Sequence, residues 1–420
     1  MENKKINVLV SPAHYLIDEY QGGSEYLWAY KLLDSISKYP SISLNAITGY
    51  SMIRNKNKNL KIYEVYRKRF LNLSIPNRFK FIFQNFNKAK SILKNKDIHL
   101  IHHMFPFGFK QTFNLLALLN YTKDIPFIVG PLQSPLHFKT IDEKGKSNRD
   151  LKQKNSKLGY IVPQIMLNTV SPVLAYLSKK TLQKADALIC INNKTKELYS
   201  DMVDSKKIVV IPPGIDISKH KFINRKKRNI VEILIVGYLV KRKGIELIIR
   251  VIATIVKTNP NVRVRIVGDG PEKENLQNLT KQLNIEKYVI FQGFIPNTKI
   301  NGYYENADIF CFASYSEGFA TVCLEAMASG LPIISTDVGG FNDIIIDSKN
   351  GYIIKDRDSL EFKKKLLTLV DGRDLRIRIG KNARKIIERK YDWEIIAKQY
   401  YEIYKRVFED QIGGGASLNW

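Results

Sequence analysis

Residues 309–335 read IFCFASYSEGFATVCLEAMASGLPIIS, and the order of apolar and small residues in this stretch predicts three elements. The first apolar run ends at about Ala313 and has the length of a buried strand. A helix is expected to begin near Thr321 and to end at Gly330, because glycine favours the position after a helix end. A second buried strand from Ile333 completes a βαβ unit, which implies a parallel sheet.

The loop and the first turn of this helix predict an anion-binding site. The first N–H groups of the helix, from about Ala320 to Cys323, lack partners within it and suit a diphosphate without a metal ion. Gly318 removes a side chain where a ligand must approach the backbone. Glu325 lies among apolar residues, where a carboxylate is costly unless it is hydrogen-bonded. A pair of ribose hydroxyls would satisfy it, and the alternative is pairing with a nearby lysine or a capping amide.

The same alternation of strands and helices occurs in two blocks. We expect two Rossmann-like, doubly wound α/β domains that face each other across a cleft, with ligands at the carboxyl ends of the strands. The domains are expected at 1–213 and 214–390, followed by a helix over 391–412 that returns to the first domain and a tail at 413–420. The polar, basic stretch Asp216 to Arg228 is interpreted as a hinge. The predicted strands are Ile6–Ser11, Asp97–His102, Ile125–Val129, Ala187–Ile191, Ile208–Ile211, Glu232–Val236, Val262–Val267, Val289–Gln292, Ile309–Ala313 and Ile333–Ser335.

The chain is strongly basic, with 67 lysines and arginines against 40 acids and a net charge of +27. Residues 51–110 alone carry fourteen basic residues and two acids, with aromatic residues between them. Three interpretations fit this stretch: a nucleic-acid groove, an aromatic and basic face on anionic lipid, or a solvated face over an ordinary core. The anion-binding site in the second block favours the lipid surface.

The remaining bulk features favour a cytoplasmic protein. No run approaches the roughly 20 apolar residues that cross a bilayer, and the N-terminus lacks a secretory apolar region. The three cysteines, Cys190, Cys311 and Cys323, lie in apolar stretches and are interpreted as core residues of a reducing compartment.

Several short motifs share one resemblance. Glu317 and Glu325 are separated by seven residues, and glycine-containing turns precede and follow them in a fixed order. This arrangement resembles the retaining GT-B glycosyltransferases of family four, also described as glycosyl transferases group 1. The matching turns are Val236-Gly237-Tyr238-Leu239 with Lys243-Gly244, Val267-Gly268-Asp269-Gly270-Pro271, Gly293-Phe294-Ile295, Asp337-Val338-Gly339-Gly340 and Asn350-Gly351.

The resemblance implies a role for each matched residue. Glu325 is expected to bind the ribose of a nucleotide sugar, and Glu317 the hydroxyls of the transferred sugar. Lys243 is expected to compensate the diphosphate charge. The donor-binding main chain is expected at Gly237, Gly318, Phe319, Ala320, Thr321 and Val322, with the base near Phe294 and Ile295.

One position departs from the family pattern. The family has arginine after the glycine at 237, whereas this chain has Tyr238, which cannot supply a bidentate positive charge to a phosphate. Lys241 or Arg242 is the candidate substitute, and donor choice is correspondingly open.

The first domain carries looser matches. Gly22 and Gly23 open a helix after the first strand and resemble the family's glycine pair beside the donor phosphates; the alternative is a plain loop. Histidines end the predicted strand at 97–102, and the family has a sugar-contacting histidine there. His102 is the better match and His103 the fallback.

No metal site is expected. No carboxylate or cysteine joins the histidines as a ligand set, and strand alternation sends neighbouring side chains to opposite faces. Asp356-Arg357-Asp358 imitates the metal motif of another glycosyltransferase fold and is interpreted as a helix cap.

These features together predict a metal- and cofactor-independent sugar transferase, and the resemblance implies that it retains the anomeric configuration. It would move a hexose or related sugar from a UDP- or GDP-type donor to a lipid-linked or polysaccharide acceptor, at the inner face of the plasma membrane. Its partners would be the nucleotide sugar, the glycan acceptor and an anionic membrane surface, with no nucleic acid. The alternatives are a polyanion or nucleic-acid binder, and a sugar-nucleotide hydrolase or epimerase on the same fold.

Overall fold

The computed structural model describes residues 5–13, 16–17, 24–53, 57–65, 75–104, 113–133, 172–223, 225 and 228–412. These residues form two compact units. The first unit contains the described residues up to 133, those from 172 to Gly214, and those from Trp393 onwards. The second unit runs from Ile215 to Asp392. No described helix is long and apolar enough to cross a bilayer.

The first unit is built on a parallel sheet of seven described strands in the order β5-β3-β1-β6-β7-β8-β9, beside a small β2–β4 pair. Its strands are β1 Ile6–Val10, β2 Leu16–Ile17, β3 Ile42–Thr48, β4 Ser51–Met52, β5 Leu60–Glu64, β6 Leu100–His103, β7 Phe127–Leu132, β8 Ala187–Cys190 and β9 Ile208–Val210. Its helices are α1 Ser24–Ser37, α2 Ile75–Asn95, α3 Leu115–Leu118 and α4 Asn193–Ser200, with a further helical stretch at 172–183.

The second unit is built on a six-stranded parallel sheet in the order β12-β11-β10-β13-β14-β15. Its strands are β10 Val231–Val236, β11 Val262–Val267, β12 Val289–Gly293, β13 Ile309–Phe312, β14 Ile333–Thr336 and β15 Tyr352–Ile354. Its helices are α5 Ile245–Ile255, α6 Lys273–Gln282, α7 Asn297–Asn306, α8 Thr321–Ala328, α9 Ser359–Asp371 and α10 Arg373–Lys390.

Both faces of the second sheet are buried, as a doubly wound fold requires. Ile233 and Ile235 of β10 pack into one core with α5 and α9, while Leu234 between them packs into the other with α7 and α8. Successive side chains of a strand point to opposite faces, so the continuous apolar run of β10 supplies both cores.

The strands predicted in the second unit are confirmed to within one residue at each end, whereas β15 was not predicted. The strand at Val262–Val267 and the start of the helix at Thr321 are placed as predicted. In the first unit β3 and β5 were not predicted. The predicted loop at 139–157 lies outside the described residues.

The strand order places a switch point in each sheet. In the second sheet the order reverses between β10 and β13, and ligands of such sheets bind at the carboxyl ends of the strands that flank the reversal. Gly237 follows β10 at this edge, and Ser314 to Glu317 follow β13. The corresponding strands of the first sheet are β1 and β6, and His102 and His103 end β6.

The segment predicted as a hinge belongs to the second unit instead. The backbone carbonyl of Lys219 accepts a hydrogen bond from Asn301, and that of His220 accepts one from Arg384. The ring of Phe222 lies so close to Gly330 that a Cβ at that glycine would be 2.5 Å from it. The buried side chains of His220 and Arg225 and the hydrogen-bonded carbonyls of Lys219 and His220 therefore attach this segment to the second unit.

The C-terminal helix α11, Trp393–Ile412, packs in the first unit. The ring of Tyr401 stacks on that of Tyr39 with centroids 4.4 Å apart, and its hydroxyl lies 3.1 Å from Ser41 Oγ. The Tyr404 hydroxyl reaches His102 of β6. These aromatic contacts join the last helix to the sheet formed by the first part of the chain.

Candidate functional site

A cluster of polar side chains surrounds Glu317 at the carboxyl edge of β13. Three groups approach the same carboxylate oxygen, Oε1: Lys243 Nζ, Arg242 Nη1 and Ser314 Oγ, each at 2.8 Å. The Glu317 side chain is only 7% exposed. Two cations on one carboxylate leave a net positive charge in a poorly solvated place, which favours a bound anion.

The two cations come from a short turn between β10 and α5. Lys241–Lys243 form a 3-10 turn that ends at Gly244, whose φ of +61° favours glycine. A Cβ at Gly244 would lie 2.1 Å from the Ala313 carbonyl oxygen, so glycine lets this turn lie directly against the end of β13. The Tyr315 amide donates to the Arg242 carbonyl at 2.8 Å and fixes the two loops together.

Glycines also bring the ends of neighbouring strands into close contact. A Cβ at Gly268, after β11, would lie 1.9 Å from the carbonyl oxygen of Gly237, after β10. A Cβ at Gly339, after β14, would lie 2.9 Å from Cβ of Glu317. The sequence motif around these glycines therefore reflects backbone crowding at the edge where the site lies.

Glu325 of α8 has a different environment from Glu317. The Tyr304 hydroxyl donates to Glu325 Oε2 at 2.6 Å. Within the described ranges no cation lies within ion-pair distance of this carboxylate, so the alternative of pairing with a lysine is not observed. Burial raises the pKa of Glu325, and the hydrogen bond from Tyr304 opposes that rise.

The first turn of α8 exposes fewer amides than predicted. Ala320 has extended backbone at the N-cap and gives no side-chain cap, so described side chains leave the N–H groups of Thr321 and Val322 without a capping acceptor. The Cys323 amide, however, donates to the Ala320 carbonyl at 3.0 Å. The anion-binding end of the helix is therefore limited to its first amides.

Comparison with known proteins identifies the family of the chain. The family described as "Glycosyl transferases group 1" matches residues 216–386, and that described as "Glycosyltransferase Family 4" matches residues 52–219. The chain belongs to the group 1 glycosyltransferases, of the family 4 type. The family assignment made from the glutamate spacing and the glycine turns is confirmed at the level of group 1, family 4.

Three curated relatives illustrate the range of this group 1 family. An uncharacterized glycosyltransferase of Methanocaldococcus jannaschii is 28% identical over 56% of this chain and 63% of its own length. A second one from that organism is 24% identical over 89% of this chain and 92% of its own. A D-inositol 3-phosphate glycosyltransferase of Corynebacterium efficiens is 29% identical over 53% of this chain and 57% of its own. The chain spans 45–63% of the length of the first three curated relatives it matches.

Solved structures show the fold of this group 1 glycosyltransferase. The sucrose-phosphate synthase of Thermosynechococcus elongatus has a TM-score of 0.70 at 17% identity, covering 96% of this chain and 99% of that one. The Anabaena protein HepE in complex with UDP-glucose has a TM-score of 0.62 at 16% identity, covering 96% and 100%. The predicted GT-B fold class, with two doubly wound parallel sheets, is confirmed.

The residues expected near the base follow β12. Phe294 is 66% exposed, and Ile295 packs at the edge of the core. Tyr238, where the family has arginine, is 62% exposed, and its hydroxyl has no described partner. Of the two candidate substitutes, Arg242 rather than Lys241 brings the extra cation to Glu317.

His102 lies in the core of the first unit, and its sugar contact stays a prediction. It is fully buried, with Nδ1 at 2.7 Å from the Tyr404 hydroxyl and Nε2 at 2.8 Å from the Gly130 carbonyl oxygen. Burial lowers the pKa of His102 to about 4, so the ring is neutral at pH 7. His103 is also buried, with Nδ1 3.0 Å from the Asn114 side-chain amide. Gly22 and Gly23 lie outside the described residues, and their role stays a prediction.

Two further predictions concern metals. Among the described residues, no group of three potential ligands is close enough to hold an ion. Asp358 caps α9 as predicted, since its side chain accepts from the Leu360 and Glu361 amides. Arg357 beside it stacks on Tyr315 at 3.4 Å and donates to the Ala313 carbonyl.

The sequence reasoning missed Tyr304 and Ser314. Ser314 lies in the quoted loop and could have been found from its position three residues before Glu317. Tyr304 is on another helix, 21 residues from Glu325, and no local pattern indicates the contact.

Proposed function

We propose that the chain is a retaining glycosyltransferase that transfers a hexose or related sugar from a nucleoside diphosphate sugar, without a metal ion. One observation carries the proposal: two carboxylates at the switch point of the second sheet have opposite environments. Glu317 is bound by two cations, and Glu325 is bound by a neutral hydroxyl with no described cation. The first is suited to a charged, sugar-bearing diphosphate and the second to ribose hydroxyls.

The donor diphosphate would lie between the Lys243 turn and the first amides of α8. The side chains of Lys243 and Arg242 carry two positive charges against the single charge of Glu317, so the cluster attracts a diphosphate. Positive charge and amide dipoles fixed before reaction stabilise the leaving diphosphate as its charge develops. Arg242 supplies the guanidinium that Tyr238 lacks.

The reaction would proceed without a covalent intermediate on Glu317. Three donors on its Oε1 hold the carboxylate and withdraw electron density from it, so it orients sugar hydroxyls better than it attacks carbon. A front-face displacement, in which the leaving phosphate takes the acceptor proton, accounts for retention of configuration.

The donor is of UDP or GDP type, and the acceptor is a lipid-linked or polysaccharide glycan. Two similar proteins support this choice. HepE was solved with UDP-glucose, and a relative from Arabidopsis thaliana, 26% identical over 54% of this chain, is named for phosphatidylinositol N-acetylglucosaminyl transfer. The proposed location is the cytoplasmic face of the membrane that holds such an acceptor.

The first test is a thermal-shift screen with UDP, GDP, ADP and their glucose conjugates. One nucleoside diphosphate is expected to raise the melting temperature, because a ligand at 100 times its Kd stabilises the native state by about 2.7 kcal/mol. A shift with duplex DNA and none with any nucleotide would instead support the polyanion binder. Product analysis then separates transfer to a glycan acceptor from hydrolysis or epimerisation.

The membrane partner is proposed to contact α2. This helix has no acidic residue, and its exposed face carries Phe79, Phe83, Lys90 and Lys94 at helical spacing. The Phe83 side chain is 58% exposed. Exposed rings beside lysines suit the headgroup region of an anionic bilayer.

Replacing Phe83 with aspartate is expected to reduce co-sedimentation with vesicles that contain phosphatidylserine by several-fold, since it removes apolar area and adds repulsion. Leu360→Asp is the matched control, because Leu360 is a still more exposed apolar side chain on the second unit. Equal pelleting of the wild type with phosphatidylcholine and phosphatidylserine vesicles would contradict this partner.

A further inference from the structure

Packing contacts other than Glu325 hold the side chain of Tyr304 in place. The side chain is fully buried, and its ring packs edge-on against His220 at 6.1 Å and at a tilt against Phe310 at 6.1 Å. The hydroxyl lies 2.6 Å from Glu325 Oε2. A hydroxyl–carboxylate bond of this length is charge-assisted and about twice as strong as a neutral one. The ring therefore determines where one oxygen of Glu325 lies.

Arg225 fixes the two helices that carry this pair. Its guanidinium is buried, and its five N–H donors reach five backbone carbonyl oxygens at 2.5–3.3 Å. Nη2 alone bridges Tyr304 O of α7 and Ser329 O at the end of α8. A helix end presents carbonyls without intrahelical partners and a partial negative charge, which a guanidinium satisfies. Arg225 thereby sets the distance between the helix of Tyr304 and the helix of Glu325.

We propose that Tyr304 is a positioning residue for Glu325, with Arg225 holding the two helix ends in register. The Tyr304 hydroxyl occupies Oε2 and aims the remaining acceptor capacity of the carboxylate at the nucleotide ribose. This inference rests on the proposed function, in which Glu325 accepts hydrogen bonds from ribose. Without the hydroxyl, the carboxylate can rotate and its ionised form loses a donor.

The test compares the affinity for UDP with that for 2′-deoxy-UDP, measured by calorimetry on the full chain; GDP and 2′-deoxy-GDP replace them if the screen selects guanine. The wild type is expected to prefer the ribonucleotide by about tenfold or more, the usual effect of one hydrogen bond to a charged group. In Tyr304→Phe this preference is expected to fall to about twofold or less. If the hydroxyl only supported the fold, its loss would weaken the binding of both nucleotides equally and leave the ratio of the two affinities unchanged.

Tyr303→Phe is the matched control. Tyr303 is the neighbouring tyrosine of the same helix, and its hydroxyl donates to Gln292 at 3.1 Å rather than to Glu325. The preference of the Tyr303→Phe variant for the ribonucleotide is expected to equal that of the wild type.

Three outcomes are decisive. An unchanged ratio in Tyr304→Phe overturns the positioning role while leaving the proposed function intact. A wild type that binds no nucleoside diphosphate overturns the proposed function, and this inference with it. If Tyr304→Phe does not fold, Arg225→Lys replaces it: a lysine cannot reach five carbonyls, so the ribonucleotide preference is again expected to fall, and an unchanged preference contradicts the inference.

Discussion

Replacing Glu325 with alanine is expected to weaken nucleoside diphosphate binding by about 100-fold or more, and turnover with it. In the proposed site the carboxylate accepts from ribose hydroxyls, and hydrogen bonds to a charged group contribute about 1.5–3 kcal/mol each. Two such bonds correspond to at least a hundredfold change in Kd. Titration calorimetry, and loss of the nucleotide-induced thermal shift, measure this effect.

The same variant also changes the unliganded protein, so its stability is measured separately. Glu325→Ala removes a carboxylate whose ionisation burial disfavours, but it leaves the buried Tyr304 hydroxyl without its partner, which costs about 1–3 kcal/mol. Glu274→Ala, at an exposed position of α6, is the control. Glu325→Gln keeps one acceptor oxygen and is expected to lie between the wild type and the alanine variant. Wild-type nucleotide affinity in a folded Glu325→Ala protein would refute the assigned role.

Lys243→Ala is expected to lower kcat by about 100- to 1,000-fold, with a much smaller change in nucleotide affinity. Removing one preorganised group that stabilises developing charge has effects of this size. Lys243 Nζ lies 2.8 Å from Glu317 and is 15% exposed, so its charge acts where water screens it poorly. Steady-state kinetics with the donor found in the screen give the split between kcat and KM.

Lys241→Ala provides the matched control for this effect. Lys241 belongs to the same 3-10 turn but is exposed and has no described contact with Glu317. Its removal changes the net charge equally and is expected to leave kcat within about twofold, because exposed charges are screened. Equal losses in the two variants would mean that net charge, rather than the position of Lys243, supports turnover.

The second unit was predicted more accurately than the first, for a physical reason. Its strands, such as β10 and β11, are rich in β-branched residues and are followed by glycine turns. The composition of the run and the turn after it therefore indicate the same strand. In the first unit β5 reads LKIYE within the basic stretch and lies at the sheet edge, where polar residues are tolerated. The composition of β5 therefore does not indicate a strand, and pairing with β3 stabilises it as one.

The contacts of His102 could not be predicted from the sequence for a similar reason. Sequence position correctly put histidines at the carboxyl end of β6, but it cannot tell which partner the ring nitrogens will find. The partners are Gly130, 28 residues away, and Tyr404, 302 residues away. The interpretation of Asp216 to Arg228 as a hinge was wrong for the same reason. From the sequence Arg225 is expected to be solvated, because the carbonyls that it binds come together only in the folded chain.

The sequence by itself determined the two doubly wound units, the family, and the order along the chain of the lysine turn and the two glutamates. These follow from local rules, since period, glycine turns and residue spacing act over a few residues. The tertiary structure alone decided the distant partners: Tyr304 for Glu325, Arg242 beside Lys243 for Glu317, and Tyr404 for His102. A buried polar group must find a complementary atom wherever the fold brings one within about 3 Å, and most of these partners lie far away along the chain.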